Sequence, residues 1–484
     1  MSMPTTKKPW NAFATPTIGK AVRGLSRLLR HGGSAFPGKV VEAIDPGFLA
    51  RTLGRLPQGV VLVSGTNGKT TTTRMVASML RDLGLRVFTN PTGSNFTRGV
   101  VSALLTEVSA GGRLDADIAV LELDEAYAVH FVKQVKPRYA LLLNVMRDQL
   151  DRFGEIDNTA RLLGHVAEAT TGTVVLNRED RRIAALAGLV PEGTQVRYFG
   201  LSDDLRSLFP SDDEMHDGET AGQTRADDGA SGAAASSVDG AAQSEDAPRP
   251  AAGQPQPDAP GSRRQADVVL ASAGDHEASF VMDGEEFDTT VRLEGVYNLF
   301  NAAAALAVVR AVTGRRGEPG KAGGDADDQA LVRAVSRVTP AFGRGEVITV
   351  SGTPVELLLV KNPMGFRLSL ASFAPGSHET MIVINDEYAD GRDMSWLWDV
   401  DFTSLRATGV RQVSGVRAWD MALRLEYDGV EVGRVDPDIP AAVRAFVDVD
   451  PAVPKHIYCT YTSMLQVRAA LGRLTQVADA GVGR

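Results

Sequence analysis

A glycine-rich turn at residues 65–70 carries the residue types that hold nucleotide phosphates. It reads Gly65-Thr66-Asn67-Gly68-Lys69-Thr70, and it lies between the apolar run GVVLVSG and a helical stretch that begins at Thr71. Glycines let backbone N–H groups turn toward phosphate, and the following helix adds the positive end of its dipole. Lys69 would supply a charge to the β- and γ-phosphates, and the Thr70 hydroxyl would ligate Mg²⁺. The turn therefore predicts a phosphate-binding loop, with Thr71 as a further binding residue at the start of the helix.

The loop is shorter than the general phosphate-loop pattern, because only Thr66 and Asn67 separate its two glycines. The segment SGTNGKTT (64–71) resembles the loops of the Mur ligases and folylpolyglutamate synthases. Those enzymes phosphorylate a carboxylate with ATP and let an amine attack the acyl phosphate. The resemblance implies an ATP-dependent ligase that forms amide bonds, and it disfavours a GTPase or a motor.

Further segments resemble the same superfamily in the same order along the chain. LELDE (121–125) places Glu122 where the family has a magnesium-binding glutamate; a simple acid at a strand end is the alternative. GVYNLFNAAAA (295–305) matches the motif whose asparagines contact adenine, here Asn298 and Asn301, with helix capping as the alternative. FGRGE (342–346) matches an arginine motif in which Arg344 would reach the ATP phosphates, unless it is a surface residue.

Two other segments complete the resemblance. NVMRDQLDRFG (144–154) resembles an Asn…Asp-His-Leu-Asp segment, with Gln149 in place of the histidine. TNPTGSNFTRG (89–99) resembles the substrate loop of the family. The resemblance implies that this loop contacts the muropeptide or its pyrophosphate through Thr92, Ser94 and Asn95.

The chain departs from the family pattern at two places. Many Mur ligases have a carbamylated lysine near a second metal ion, but no lysine occurs between Pro137 and Lys321. KNPMGF (361–366) stands where many relatives have a His-x-Pro element. Lys361 therefore has two open interpretations, a phosphate contact or an ordinary surface lysine.

The most specific stretch is INDEYADGRDMSWLWDVDF (384–402). Together with residues 19–49 and 457–471 it resembles the MurT family, the synthetase subunits of lipid II isoglutaminyl synthase. The resemblance implies activation of the α-carboxylate of D-glutamate in the peptidoglycan stem peptide and its amidation to D-isoglutamine. It also implies that the ammonia comes from glutamine, hydrolysed by a GatD-type partner to which this chain supplies the triad's aspartate.

Asp393 and Asp390 of DGRD are the candidates for that catalytic aspartate, and we favour Asp393. A purely structural role in the loop is the alternative for either carboxylate. The neighbouring Trp396 and Trp398 are predicted to be core residues or interface anchors, with core packing favoured for at least one of them.

Apolar runs that alternate with helical segments predict an α/β fold with a parallel sheet covered on both faces. With 484 residues, the chain exceeds one compact core. We expect an N-terminal segment (1–50), a Mur-ligase-like central ATP-binding domain (51–338) and a C-terminal Rossmann-like α/β domain (339–484).

Residues 203–265 interrupt the central domain with an acidic, low-complexity insertion predicted to be disordered. The insertion holds 13 Asp or Glu against 5 Arg, so it carries −8 of the chain's net charge of −9. The net charge argues against general binding of nucleic acid, but because the remainder is nearly neutral, the acidic total says little about ligands. Because Cys459 is the single cysteine, neither a disulfide nor the four-cysteine zinc site of many MurT proteins is expected.

The sequence shows neither a secretory signal nor an apolar stretch long enough to cross a membrane. A cytoplasmic location is predicted, with the inner membrane face as a possibility because IGKAVRGLSRLLR (18–30) forms a basic amphipathic pattern. Packing of this helix against its own domain is the favoured alternative. For function, the alternatives are a stand-alone Mur-type amino-acid or polyglutamate ligase and a silent scaffold for the partner.

Overall fold

The first of two sheets builds the nucleotide-binding region. The computed structural model describes residues 11–28, 36–90, 95–109, 112–146, 156–206, 264–274, 277–292, 296–314, 327–338, 344–373 and 375–477. The first sheet has the strand order β2-β3-β1-β4-β5-β6-β7-β8-β9. Its strands are β1 (Val60–Ser64), β2 (Val87–Thr89), β3 (Ile118–Glu122), β4 (Tyr139–Leu142), β5 (Thr173–Asn177), β6 (Gln195–Leu201), β7 (Val268–Ala273), β8 (Glu277–Met282) and β9 (Glu285–Thr290).

The strands from β2 to β7 run parallel, as their near-continuous apolar runs predict. β1 lies between β3 and β4, so the carboxyl ends of these three strands meet at one edge, where loops carry ligand-binding residues. β8 and β9 form an antiparallel hairpin, which the sequence analysis did not predict. Its Asp283-Gly284 turn has positive φ at both residues, the conformation that matches strand twist in tight hairpins.

Helices cover both faces of this sheet. They are α1 (Asn11–Leu28), α2 (Phe36–Ile44), α3 (Phe48–Leu53), α4 (Lys69–Asp82), α5 (Thr97–Glu107), α6 (Glu125–Val132), α7 (Ile156–Ala169), α8 (Arg181–Ala185), α9 (Val296–Thr313) and α10 (Asp328–Ser336). The alanine-rich α9 is buried along most of its length, because small side chains let it lie close to the sheet and to α4. A second core on the opposite face packs α5, α6 and α7 against the same strands.

The second sheet has the order β10-β11-β15-β12-β13-β14. Its strands are β10 (Arg344–Val350), β11 (Thr353–Leu359), β12 (Glu379–Val383), β13 (Val410–Ser414), β14 (Val432–Asp436) and β15 (Lys455–Cys459). All pairs are parallel except the β10–β11 hairpin. Its helices are α11 (Pro363–Ser372), α12 (Ala418–Tyr427), α13 (Ile439–Asp448) and α14 (Tyr461–Leu471). Each face has its own apolar core.

The N-terminal helix α1 contacts α2 and α5 of its own domain. Thr15 Oγ1 donates to Asp45 Oδ2 at 2.7 Å, and Lys20 Nζ donates to the Val108 carbonyl at 2.6 Å. These contacts favour packing on the domain over a free membrane-binding helix, although Ile18 remains partly exposed. Within the described ranges, no helix combines the length and apolar character needed to cross a bilayer.

Most of the predicted disordered insertion, residues 207–263, lies outside the described residues. The strands on either side of it pair in parallel, with Phe199 opposite Val268, so the insertion joins two neighbouring strands of one sheet. The described elements divide into a sheet that ends at Thr290 and a sheet that begins at Arg344. The boundaries 51–338 and 339–484 remain our proposal for the two domains.

Candidate active site at the phosphate loop

Both glycines of the loop meet a close neighbour. Gly68 has φ +83°, a left-handed conformation that favours glycine, and a Cβ there would lie 2.5 Å from Asn301 Oδ1. Gly65 has φ +134°, and its Cβ would lie 3.0 Å from the backbone N and O of Asn144. The loop therefore has no room for side chains at these positions.

Lys69 is buried and its charge is paired. Its Nζ donates to the Gly65 carbonyl at 2.5 Å and lies 3.2 Å from Asp124 Oδ1 and 3.6 Å from Glu125 Oε1. A buried ammonium requires such partners, because removing a lone charge from water costs several kcal/mol. Sequence reasoning singled out only Glu122 of LELDE, although the two acids after it contact the lysine. Asp124 and Glu125 follow the end of β3, and β3 lies beside β1. This position in the sequence could have indicated their contact with Lys69.

The two predicted magnesium ligands are brought together. Thr70 Oγ1 donates to Glu122 Oε1 at 2.8 Å, and both side chains are buried. Asn90 fixes the end of β3, since its side chain exchanges two 2.9 Å hydrogen bonds with the backbone of Glu122. A hydroxyl and a carboxylate are the oxygen ligands that Mg²⁺ prefers, and Mg²⁺ takes its remaining ligands from phosphates and water. These residues fit such an ion, although no group of three or more His, Cys, Asp or Glu side chains in the described part of the chain could hold a metal.

Asn144, at the end of β4, holds the outer side of the loop. Its Oδ1 accepts from the backbone N–H of Asn67 at 2.8 Å, and its Nδ2 donates to the Asn67 carbonyl at 3.1 Å and to Tyr297 Oη at 3.2 Å. The Asn144 carbonyl accepts from the backbone N–H of Thr66 at 3.0 Å. In the sequence this asparagine stands out only as part of a family segment, whereas the structure shows that it shapes the loop directly.

The predicted adenine contacts lie near the loop at the start of α9. Asn301 is buried against Gly68, and its Nδ2 has no hydrogen-bond acceptor among the described residues. Asn298 is half-buried one helical turn earlier. Arg344 begins β10, but its side chain lies outside the described atoms. The nucleotide roles of these three residues stay predictions.

The predicted substrate loop is described only in part. Thr92 and Ser94 lie outside the described residues, as does Gln149. The Asn95 carbonyl accepts from the backbone N–H of Asp124 at 3.0 Å. Asn95 is therefore close to the acids that contact Lys69, and its role as a substrate contact remains a prediction.

The KNPMGF segment of the second domain reaches the phosphate loop. Lys361 Nζ donates to the Thr66 carbonyl at 3.1 Å. The amides of Asn362 and Asn67 donate to each other at 3.0 and 3.2 Å. Lys361 therefore lies at the phosphate loop, and a phosphate contact stays a prediction.

The two aspartates of DGRD have opposite environments. Asp390 is 2% exposed and accepts hydrogen bonds from the backbone N–H and hydroxyl of Thr462 and from the backbone N–H of Glu387. Burial nevertheless raises the pKa of Asp390 above its ordinary value. Asp393 is exposed, and hydrogen bonds from Ser395 lower its pKa. The structure thus gives Asp390 a loop-fixing position and leaves Asp393 accessible.

The two tryptophans beside DGRD also differ. Trp396 is buried in the core of the second domain, whereas Trp398 is 50% exposed. The Trp398 ring meets Tyr427 edge-on with 5.4 Å between centroids. Trp419, Leu423 and Tyr427 follow each other at intervals of four on α12, so they share one helix face. We call Trp398, Trp419, Leu423 and Tyr427 the aromatic surface; all four are at least half exposed.

Two family profiles match separate ranges of this chain. The profile of the Mur ligase middle domain matches residues 63–236, and that of the MurT ligase C-terminal domain matches residues 359–464. The fold resembles MurF ligase from Thermotoga maritima in complex with ADP, with a TM-score of 0.60 at 15% identity, over 91% of this chain and 85% of that one.

Curated relatives match over nearly the full length. The lipid II isoglutaminyl synthase (glutamine-hydrolyzing) subunit MurT of Streptococcus pneumoniae is 29% identical, over 92% of this chain and 94% of the relative. The subunit of the same name from Staphylococcus aureus strain COL is 27% identical, over 96% and 98%. The phosphate loop and the LELDE strand lie within the match to the Mur ligase middle domain, and the DGRD segment lies within the match to the MurT ligase C-terminal domain, so the chain is similar to the MurT subunits over nearly its full length.

Proposed function

We propose that this chain is the ATP-dependent synthetase subunit of a lipid II isoglutaminyl synthase. It activates the α-carboxylate of D-glutamate in the stem peptide as an acyl phosphate, which ammonia converts to D-isoglutamine. The observation that carries this proposal is the arrangement of Lys69, Thr70 and Glu122 at one sheet edge, in a chain whose second domain has the MurT-type sequence.

The loop residues would bind ATP and orient its terminal phosphate. Backbone N–H groups at the start of α4, together with Lys69, favour negative charge at this edge. Mg²⁺, held by Thr70 and Glu122, would neutralise charge on the β- and γ-phosphates. The buried Nδ2 of Asn301 adds a donor at the loop that a nucleotide acceptor would satisfy.

The reaction has two steps. A carboxylate oxygen of the substrate bonds to the γ-phosphorus as the bond to the β–γ bridging oxygen breaks, and ADP leaves. The nitrogen of ammonia then attacks the acyl carbon, inorganic phosphate leaves, and the nitrogen loses a proton. The role of this chain is to position the two reactants and to stabilise the charge of the transferred group, which is how most phosphoryl-transfer enzymes work.

We further propose that a GatD-type glutaminase supplies the ammonia and that Asp393 completes its catalytic triad. The aspartate of such a triad must be ionised to orient the histidine and stabilise its charged form. Asp393 supports this role because it is exposed and has a lowered pKa, whereas the buried Asp390 is committed to Thr462 and Glu387.

The aromatic surface supports docking of that partner beside Asp393. Trp398 follows Asp393 by five residues, and Trp and Tyr are enriched where protein partners bury surface. Trp419→Ala should weaken binding of a GatD-type glutaminase in calorimetry and leave ammonia-dependent amidation unchanged. Leu189→Ala, at an exposed leucine of the other domain, is the matched control. Equal partner affinity for the Trp419 variant would reject this surface.

The proposed cellular location of the protein follows from its proposed lipid-linked substrate. We propose a cytoplasmic protein that meets its lipid-linked substrate at the inner membrane face. Sedimentation with vesicles that contain lipid II, compared with vesicles that lack it, tests this proximity.

The decisive activity test combines the purified protein with lipid II, ATP and either ammonium or glutamine. Amidation with ammonium, and with glutamine only after the glutaminase is added, is the expected result. Transfer of an amino acid instead would favour the alternative of a stand-alone Mur-type ligase. Undiminished amidation by Lys69→Ala would favour a scaffold.

A further inference from the structure

The turn that follows β5 holds the backbone on both sides of Asn144. Asn177 Nδ2 donates to the Leu143 carbonyl at 2.8 Å, and Asp180 Oδ2 accepts from the backbone N–H of Val145 at 2.7 Å. Because β5 lies beside β4 in the sheet, this turn and the residues after β4 meet at the edge that carries the phosphate loop. Two side chains of one turn therefore fix the segment that contains Asn144.

The segment that this turn holds also shapes the phosphate loop. Asn144 exchanges hydrogen bonds with the backbone of Asn67, at 2.8 and 3.1 Å. Two residues later, Met146 donates its backbone N–H to Thr66 Oγ1 at 3.1 Å. Val145 lies between these two contacts and is buried. Any shift of the Val145 backbone would therefore be passed to both residues that separate the glycines of the loop.

Both oxygens of the Asp180 carboxylate are used. Oδ1 accepts from the backbone N–H groups of Arg182 and Ile183 at 2.9 and 3.0 Å and so caps α8, while Oδ2 accepts from Val145. An ionised carboxylate offers two acceptor oxygens, whereas an asparagine amide offers one and a protonated carboxyl uses one oxygen as a donor. The ionised form of Asp180 is thus the form that caps the helix and holds Val145 at once.

Burial raises the pKa of Asp180 to about 6, although the hydrogen bonds from the backbone and the charge of Arg182 lower it. Arg182 is itself paired with Asp157 of α7, with 2.8 Å between Nε and Oδ1. Arg178 and Glu179, in the same turn as Asp180, pair with each other at 3.0 Å. β4 and β5 contribute no Asp, Glu, His, Lys or Arg. The remaining charged residues of α7 contact Asn158 or each other; they are Arg161, His165 and Glu168.

We propose that Asp180 is a positioning residue for nucleotide binding: its carboxylate holds the backbone of Val145, and the residues on either side of Val145 hold the phosphate loop. The inference rests on the proposed binding of ATP by that loop and not on the identity of the carboxylate substrate. Backbone donors that are already in place bind phosphate without a further cost of ordering. Loosening Val145 therefore weakens nucleotide binding without removing any group that touches the nucleotide.

Calorimetry with the full chain, Mg²⁺ and the β,γ-imido analogue of ATP tests this role at pH values on both sides of 6. Asp180→Asn keeps one oxygen for the helix cap but has no second oxygen for Val145. We expect it to bind the analogue roughly tenfold more weakly than wild type above pH 6, the range for one hydrogen bond to a charged group. Since protonation takes the same acceptor from wild type, the ratio of the two affinities should approach one as the pH falls through about 6.

Asp438→Asn is the matched control, because Asp438 also caps a helix, α13 of the second domain, by accepting from the backbone N–H of Ala441 at 2.8 Å. It should bind the analogue like wild type at every pH. If circular dichroism shows that Asp180→Asn does not fold, Asp180→Ser, which also offers the cap a single oxygen, takes its place.

Unchanged affinity of the Asp180 variant, a loss that does not vary with pH, or an equal loss in Asp438→Asn would overturn the proposal. If no lipid II is amidated under any condition, the proposed function fails, while the affinity for the nucleotide still decides the role of Asp180.

Discussion

The side-chain amides of Asn67 and Asn362 hydrogen-bond to each other in both directions, at 3.0 and 3.2 Å. One residue belongs to the phosphate loop and the other caps the first helix of the second domain, and both are buried. The pair therefore joins the ATP site directly to the domain that carries the DGRD segment.

This pair should show energetic coupling. Asn67→Ala or Asn362→Ala leaves one buried amide without its partner, which costs about 1–3 kcal/mol. The double variant should lose less than the sum of the single variants, with a coupling energy of about 0.5–3 kcal/mol. The free energy of unfolding in urea, measured for all four proteins, tests this. Additive losses would mean that the two amides act independently.

Glu122→Gln should lower the rate of ammonia-dependent amidation on the order of a hundredfold, because it removes the charge that Mg²⁺ requires beside Thr70. The variant should also need more Mg²⁺ for half-maximal rate, and a magnesium titration of the rate measures both effects. Glu285→Gln, at an exposed acid on the edge strand β9, is the control. An unchanged magnesium requirement would contradict the assignment of Glu122.

Two glycines with the same backbone conformation provide a matched pair. Gly68 and Gly84 have φ of +83° and +87°, but a Cβ at Gly84 would meet nothing within 4 Å. Gly84→Ala should therefore lose only the roughly 1–2 kcal/mol of left-handed strain. Gly68→Ala should lose more, since its Cβ meets Asn301, and should also lose ATP affinity. Thermal unfolding and calorimetry check this prediction, and equal effects of the two variants would refute it.

Asp390 should make the free energy of unfolding depend on pH. Its pKa in the folded protein is raised above the ordinary value of 3.8, so folding favours the protonated form. The stability that this carboxyl contributes is fully present below pH 3.8 and declines as the pH rises through the folded pKa. The stability of wild type relative to Asp390→Asn should thus fall as the pH rises above 4. Urea unfolding at several pH values measures the difference, and a rise with pH would contradict burial as the dominant cause.

The sequence predicted the strands next to the phosphate loop well, because buried parallel strands are continuous apolar runs and the loop has its own residue pattern. β1, β3, β4 and β5 match within two residues the apolar runs GVVLVSG (59–65), DIAVLEL (117–123), YALLLN (139–144) and TVVLN (173–177). The β8–β9 and β10–β11 hairpins were not recognised as antiparallel, because strand direction there depends on the two-residue turns Asp283-Gly284 and Ser351-Gly352 and not on apolar runs.

Site residues near the loop in sequence were predicted, but those that reach it from afar were not. Glu122 follows a motif, whereas the roles of Asn90 and Asn144 depend on which strands are neighbours in the sheet. Asn362 lies 295 residues from Asn67, so no local pattern could show their contact. Likewise, the contrast between Asp390 and Asp393 depends on the burial of Asp390 and its hydrogen bonds from Thr462, which only the fold provides.

The most direct test of a two-protein amidotransferase compares wild type with Asp393→Asn in the presence of lipid II, ATP and a GatD-type glutaminase. The nitrogen source is glutamine in one series and ammonium in the other, and product is followed by mass spectrometry. We predict that Asp393→Asn abolishes glutamine-dependent amidation and retains ammonium-dependent amidation. Loss of both activities, or retention of both, would contradict it.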